Sequence, residues 1–290
     1  MATTSTISSL GVGSGIDAES IVTKLVALES QPIEQLKTEA SKVQTKISAY
    51  GKIQSAVSDV RDAARKLTST DLWGATTATS ADTSAVTAST SSGAQTGTYS
   101  VTVSSLAKPQ SVVSNTYATS STATLGAGTL HFELGSWSGS TFTGKSGTTA
   151  VDITVAATDT LETIRDKINS SSAGVKASII SDSNGARLVM QSATTGETNG
   201  FRVTATDSDG GNTDDTGLSS LAYAPDASTS GTSLTQAASN ASATVNGIAV
   251  TSETNTLSEV VTGLTLTLSK VSSSAVNVTV GQDTATITAA

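Results

Sequence analysis

Apolar or small side chains recur at Ile33, Leu36, Ala40, Val43, Ile47, Tyr50, Ile53, Val57, Val60, Ala64 and Leu67. The steps alternate between three and four residues, with one slip between Tyr50 and Ile53. Such a seam on an otherwise polar segment is the pattern of a coiled-coil strand. The helix that carries it spans roughly 50 Å at 1.5 Å per residue, and its apolar stripe needs another helix to cover it. No second long helical pattern follows, so the seam reads as half of an interface. The slip lies beside Gly51 and reads as a local change in supercoiling.

A shorter helix precedes the seam. Asp17 is its expected N-cap, and Ile21, Leu25 and Leu28 share one face. It is expected to stop near Ser30, because Pro32 lacks a backbone donor and suits the first turn of the next helix. That second helix is expected to end at residues 68–70. Residues 1–15 are small and polar, ending in Gly11-Val12-Gly13-Ser14-Gly15. They read as a segment that a partner must order, because a dinucleotide cradle needs a preceding strand and a different glycine register.

From about residue 75 the period changes to two. Expected strands cover 85–88, 99–103, 110–113, 130–134, 151–155, 175–180, 187–190, 201–205, 243–245, 248–250, 264–268 and 276–280. Asn246-Gly247 is the clearest hairpin turn. Two short helices are expected among the strands, each opened by a capping box: Asp159 with Glu162, and Thr256 with Glu259. Loops of low complexity cover 116–128, 135–149 and 207–235. The fold class is therefore α+β and multidomain. Residues 1–31 form an N-terminal segment with a short helix, and 32–74 a helical stalk. Residues 75–115 with 238–283 form a first β-rich domain, 116–237 a second one inserted into it, and 284–290 turn back toward the stalk.

Charge and composition narrow the function. Residues 1–71 hold eight basic and eight acidic residues, so the net charge of −8 belongs to the later region. An acidic body with 3% aromatic residues is a poor match for nucleic acid or an anionic membrane. No stretch approaches the ~20 apolar residues that span a bilayer, and no cleavable Sec-type signal is expected at the N-terminus. The absence of cysteine excludes disulfides, thiolate zinc sites and cysteine nucleophiles.

Catalytic sets are not assembled. The one histidine, His131, lies on the polar face of an alternating strand, where a solvent-facing role fits better than a triad or a metal site. Gly135-Ser136-Trp137-Ser138-Gly139 puts a tryptophan where a nucleophile elbow needs serine. Among Asp152, Asp159, Glu162 and Asp166, capping accounts for two. Asp207, Asp209 and Asp214 form a weak calcium candidate, although Leu218 stands where an EF-hand needs glutamate, and a solvated turn explains the cluster better. No cofactor is expected.

Several segments occur in an order that resembles one family. They are Leu10 through Asp17 with Ser20-Ile21-Val22, Leu25, Glu29 and Gln31-Pro32-Ile33; Gly97 through Gln110; Ile168-Asn169 to Ala177 with Asp182 through Ser192; and Asn246-Gly247, Asn255-Thr256, Gly263-Leu264-Thr265 and Leu268. Together they resemble the bacterial flagellar filament cap family, hook-associated protein 2. The resemblance implies a structural protein that assembles as a ring at the filament tip and promotes flagellin folding and insertion. It implies contacts with flagellin and hook–filament junction proteins, and export by the flagellar type III apparatus with its chaperone. An extracellular place without signal cleavage follows. The resemblance also implies a C-terminal helical arm pairing with the stalk. That arm is expected to begin near residues 282–287 and so to lie beyond Ala290.

On this reading the subunit and axial interface comprises Leu10, Ile16, Ile21, Leu25, Leu28, Ile33, Leu36, Val43, Ile47, Tyr50, Ile53, Val57, Val60 and Leu67. A secreted adhesin binding host ligand through its Ser/Thr-rich acidic β-domains is the alternative, and a hydrolase on a β scaffold has no catalytic set to support it.

Overall fold

The computed structural model describes residues 17–91, 93–228 and 231–288. Leu10 and Ile16, both expected in the interface, lie outside them. The chain divides into two units, residues 1–72 and residues 73–289, and the architecture is α+β and multidomain.

The first unit is built on α1 (Ala18–Leu67), a helix of 50 residues. Asp17 caps it, its Oδ1 accepting from the Ser20 amide at 3.0 Å. The expected break near Ser30 does not occur, and Pro32 lies inside the helix. A proline fixes φ near the helical value and removes one hydrogen bond. The strong helix formers on both sides, Leu25 to Glu29 and Ile33 to Lys37, carry the helix through. A short helix, α2 (Thr70–Trp73), follows.

The second unit is mostly strand. In chain order these are β1 (Thr76–Ser80), β2 (Val86–Thr90), β3 (Gly97–Ser105), β4 (Ser111–Ser114), β5 (Gly128–Ser138), β6 (Thr141–Gly144), β7 (Val151–Val155) and β8 (Val175–Asp182). They continue as β9 (Gly185–Ser192), β10 (Gly200–Asp207), β11 (Thr232–Gln236), β12 (Ala241–Val245), β13 (Ile248–Ser252), β14 (Thr256–Val261), β15 (Leu264–Leu268) and β16 (Val276–Gln282). Helix α3 (Leu161–Ser170) precedes β8, and α4 (Thr284–Thr288) follows β16.

The described strands surround two cores. A five-stranded antiparallel sheet, β1-β16-β3-β12-β13, and a three-stranded one, β14-β15-β2, belong to the first. Alternation in Leu264-Thr265-Leu266-Thr267-Leu268 and Val276-Asn277-Val278-Thr279-Val280 turns every leucine and valine inward, against Val86, Val101, Val103 and Ala243. Asn246 and Gly247 turn the β12–β13 hairpin with φ of 51° and 81°, as a type I′ turn requires. The second core lies between β10-β5-β6, with β7 on β5, and β11-β4-β9-β8. Leu161, Ile164 and Ile168 of α3 pack into it with Leu130, Phe132, Leu188 and Phe201.

Four expectations need correction. The segment opened by Thr256 and Glu259 is not a helix but strand β14 paired with β15, because its alternating Leu257 closes the first core. Helix α3 is capped by Thr160, not Asp159. The Asp159 carboxylate instead binds the Ala156 amide at 2.7 Å and the Lys167 ammonium. Strand β4 joins the second core rather than the first: it pairs with β9 and β11, and Val112 is fully buried there. Finally, residues 207–235 are anchored rather than loose, through Leu218, Leu221 and Tyr223 in the second core.

The crossings between the cores are tightly paired. Lys108 and Ser239 exchange backbone hydrogen bonds at 2.9 and 3.0 Å. Asn255 holds Ala107 at both backbone groups, accepting its N–H at 2.7 Å and donating to its carbonyl at 3.1 Å. Thr195 donates to the Glu253 carbonyl at 2.8 Å, and Thr198 donates to the Glu253 carboxylate at 2.5 Å.

Candidate interaction surface

Every described residue of the expected interface lies on α1, and none is buried. Leu36, Tyr50 and Val60 are 70%, 73% and 70% exposed, and Ile21, Leu25, Leu28, Ile33, Val43, Ile47, Ile53, Val57 and Leu67 are about half exposed or more. Full burial of a Val, Leu or Ile side chain contributes about 1.5–3 kcal/mol. An uncovered stripe of this length therefore represents a large unused association energy. The helix remains unbroken through the slip at Gly51, so the stripe changes direction on the helix surface without interrupting it. A three-residue slip of this kind overwinds a coiled coil locally.

The other face of α1 supports the helix only weakly. Lys37 pairs with Glu34 and Lys42 with Glu39, each at 2.7 Å and solvent-exposed, which adds a few tenths of a kcal/mol apiece. Thr38 and Thr45 return hydrogen bonds to the carbonyls four residues back. Helices in proteins owe most of their stability to tertiary packing of an apolar face, and on α1 that face is the exposed stripe.

The polar candidates in the second unit are occupied internally. A carboxylate holds a cation through one or both of its oxygens, and in each of the three calcium candidates one oxygen is already taken by a protein donor. The Asp207 carboxylate is buried and accepts the Leu218 and Ser219 amides at 2.6 and 3.2 Å. Asp209 accepts from Gly211, and Asp214 from Thr216 and the Ser219 hydroxyl. The Thr216 and Ser219 donors hold the Asp214 carboxyl below its ordinary range. Among the described residues, no group of three His, Asp or Glu side chains is gathered as a metal site would need. His131 stands opposite Asp152 in the β5–β7 register and pairs with it through Nδ1 at 2.5 Å, a cross-strand pair on a solvated face.

One network was not anticipated. Arg202 on β10 bridges Glu133 on β5 and Asp226 at 2.5 Å each, with Phe142 4.8 Å beneath its guanidinium. Burial alone would lower the Arg202 pKa, and the two carboxylate hydrogen bonds outweigh it and raise the value. Asp226 is 24 residues from Arg202, and no short motif signals that pairing.

Comparisons with known proteins place these features. The family model described as Flagellar hook-associated protein 2 N-terminus matches residues 14–110, and its C-terminus counterpart matches residues 238–290. The Flagellin hook IN motif matches residues 141–194. Flagellar hook-associated protein 2 of Escherichia coli (strain K12) is 36% identical over 204 residues, which is 70% of this chain and 42% of that protein. B-type flagellar hook-associated protein 2 of Pseudomonas aeruginosa is 35% identical over 221 residues, 75% of this chain and 44% of that protein. The chain thus spans less than half the length of these curated relatives. The crystal structure of the flagellar cap protein FliD D1-D2-D3 domains from Escherichia coli superposes with TM-score 0.67 at 32% identity, over 82% of this chain and 64% of that one. The D2-D3 structure from the same species gives TM-score 0.62 at 31% identity, over 72% of this chain and all of that one. Nothing in the fold or in these similarities favours an adhesin. With matching family models at both ends and a shared fold between them, the chain belongs to the flagellar hook-associated protein 2 family.

Proposed function

We propose that this chain supplies the stalk and head of a flagellar filament cap. The reading rests on one observation: α1 exposes its apolar stripe at every described turn, within a chain of this family. A stripe so placed acts by association, and the role is structural, with no bond made or broken. The homo-oligomer sits as a ring at the extracellular filament tip, and incoming flagellin folds and inserts beneath it. Flagellin and the hook–filament junction proteins are its axial partners. The flagellar type III apparatus, with a chaperone, delivers it without signal cleavage.

The interface residues on α1, from Ile21 to Leu67, make the subunit and axial contacts, continued by Leu10 and Ile16. The two β-cores form the head, one inserted into the other. Supporting that division, the two hook-associated family matches stop at Gln110 and resume at residue 238, beside the Lys108–Ser239 bridge. In this reading residues 284–290 begin the return to the stalk; they open with helix α4, whose Thr286 amide donates to the Asp283 carboxylate at 3.0 Å.

Deletion of the gene in its host bacterium tests the reading. The expected result is loss of filaments, with flagellin released into the medium. Filaments of normal length without this protein would overturn it.

A further inference from the structure

Where the chain crosses between the two cores it leaves a cavity of about 180 Å³, lined by Gln110, Trp137, Glu197, Tyr223, Leu234 and Ala237. The whole chain has only two tryptophans, four tyrosines and three phenylalanines, yet three of these rings gather here. Trp137 and Tyr223 stand edge-on at 5.5 Å in the wall, and Phe142 backs Trp137 at 4.8 Å. Most polar groups of the lining are already spent. Both ends of the Gln110 amide, and the Trp137 indole N–H, are engaged by the Phe201 backbone. Tyr223 differs. It is 7% exposed, and among the described residues its hydroxyl has no hydrogen-bond partner, burial being all that moves its pKa, upward. The Tyr223 backbone exchanges hydrogen bonds with Val203 at 2.8 and 3.0 Å, which holds the ring in the wall. A buried tyrosine hydroxyl ordinarily finds a partner, and the cavity is the space left for one.

The second uncommitted group is the Glu197 carboxylate, the one charged side chain among the described residues of the lining. The Glu197 N–H donates to Asn240 Oδ1 at 2.8 Å, and its Oε2 accepts from the Asn240 amide at 3.4 Å. That anchors the residue and leaves Oε1 open. Nearby cations are engaged elsewhere: Arg202 with Glu133 and Asp226, and Lys145 with the Asn199 Oδ1. A phenol oxygen and a carboxylate beside aromatic and aliphatic walls suit a planar cation with several N–H donors. A guanidinium reaches two acceptors with one rigid fork, lies against aromatic rings and is more weakly hydrated than an ammonium. We propose that this cavity binds a guanidinium on an alkyl stem, the chemistry of an arginine side chain. Its N–H groups donate to Glu197 and to the Tyr223 oxygen, and its stem lies against Trp137 and Leu234. The site is independent of the α1 surface and of the assembly role.

Trp137 itself reports occupancy. In the full chain carrying Trp73→Phe it is the remaining tryptophan, and its fluorescence is titrated with ethylguanidinium. A saturable change in the millimolar range is expected for a fragment of this size, with weaker binding of ethylammonium. Tyr223→Phe is expected to weaken binding about tenfold, as loss of a hydrogen bond to a charged group does. The fold survives that change because the hydroxyl has no partner to lose, and an unaltered urea midpoint checks it. Glu197→Gln is expected to weaken binding about threefold, as befits an exposed ion pair. No saturable change with ethylguanidinium, as when water alone completes Tyr223, would overturn the proposal. So would equal binding of ethylammonium, or undiminished binding by Tyr223→Phe. Free arginine and Nα-acetyl-arginine amide separate the sources, and either order supports the site. Tighter binding of the free amino acid marks a small-molecule ligand, and tighter binding of the capped form marks a side chain offered by a protein.

Discussion

Gln110 and Phe201 are joined in both directions, although 91 residues separate them. The Gln110 Nε2 donates to the Phe201 carbonyl at 2.8 Å, and its Oε1 accepts the Phe201 amide at 3.0 Å. The glutamine is 1% exposed, so its amide replaces a strand partner at the point where the chain enters the second core. Trp137 Nε1 donates to the same carbonyl at 3.0 Å. Gln110→Leu therefore leaves the Phe201 N–H without its partner while the carbonyl keeps one. A buried unmet donor costs about 1–3 kcal/mol. Urea denaturation of the variant is expected to show a loss of that size, and an unchanged midpoint would refute the role.

Gly196 ties the two cores at close quarters. Its φ is +110°, and a Cβ there would lie 2.7 Å from the Glu253 Cβ and 2.9 Å from its carbonyl oxygen. The flanking Thr195 and Thr198 both bind Glu253. Gly196→Ala must push Glu253 away and strain the backbone, at about 1–3 kcal/mol. Limited proteolysis is expected to cut the variant faster than the parent near residues 195–198. Equal rates would show that the contact gives way freely.

Acid stability carries the imprint of Asp159. The Lys167 hydrogen bond first, and the Ala156 amide second, hold its carboxyl below the ordinary value. A lowered folded value means that the stabilisation is fully present above about pH 4, the unfolded range. It is lost as pH falls through the folded value. Asp159→Asn is thus expected to melt at a lower temperature than the parent at pH 7. The gap between the two narrows as pH drops below about 4 and closes once pH has fallen through the lowered folded value, where the parent carboxyl is also neutral. A gap that stays constant down to pH 2 would assign the loss to packing instead.

Much of the fold is legible from local pattern. Strands β7 and β15 coincide with the alternating apolar residues of Val151–Val155 and Leu264–Leu268, since period-two burial is written directly in the sequence. Strands β1, β6 and β11 were not expected. Their sequences, such as Thr76 to Ser80, are dominated by threonine and serine, and they are strands because of what they pair with: β1 and β11 with strands distant in the chain, β6 with the end of β5 across a tight hairpin. The capping-box signature at Thr256 misleads for the same reason: pairing with β15 outweighs local helix propensity. The spacing of the exposed apolar residues on α1 could be read from the sequence because it is local, whereas the break expected near Ser30 does not occur. The Arg202 network and the Gln110 lock could not be read there, since both depend on contacts that only the completed sheets create.

The claim that the α1 stripe is an assembly surface meets its most direct test in complementation. Leu36→Glu/Val60→Glu changes two residues that are each 70% exposed, so the thermal transition of the β unit is expected to match the parent. Introduced into a strain lacking the gene, the variant is expected to be exported yet to leave cells without filaments, where the parent restores them. Filaments of normal length and number from the exported double variant would contradict the account.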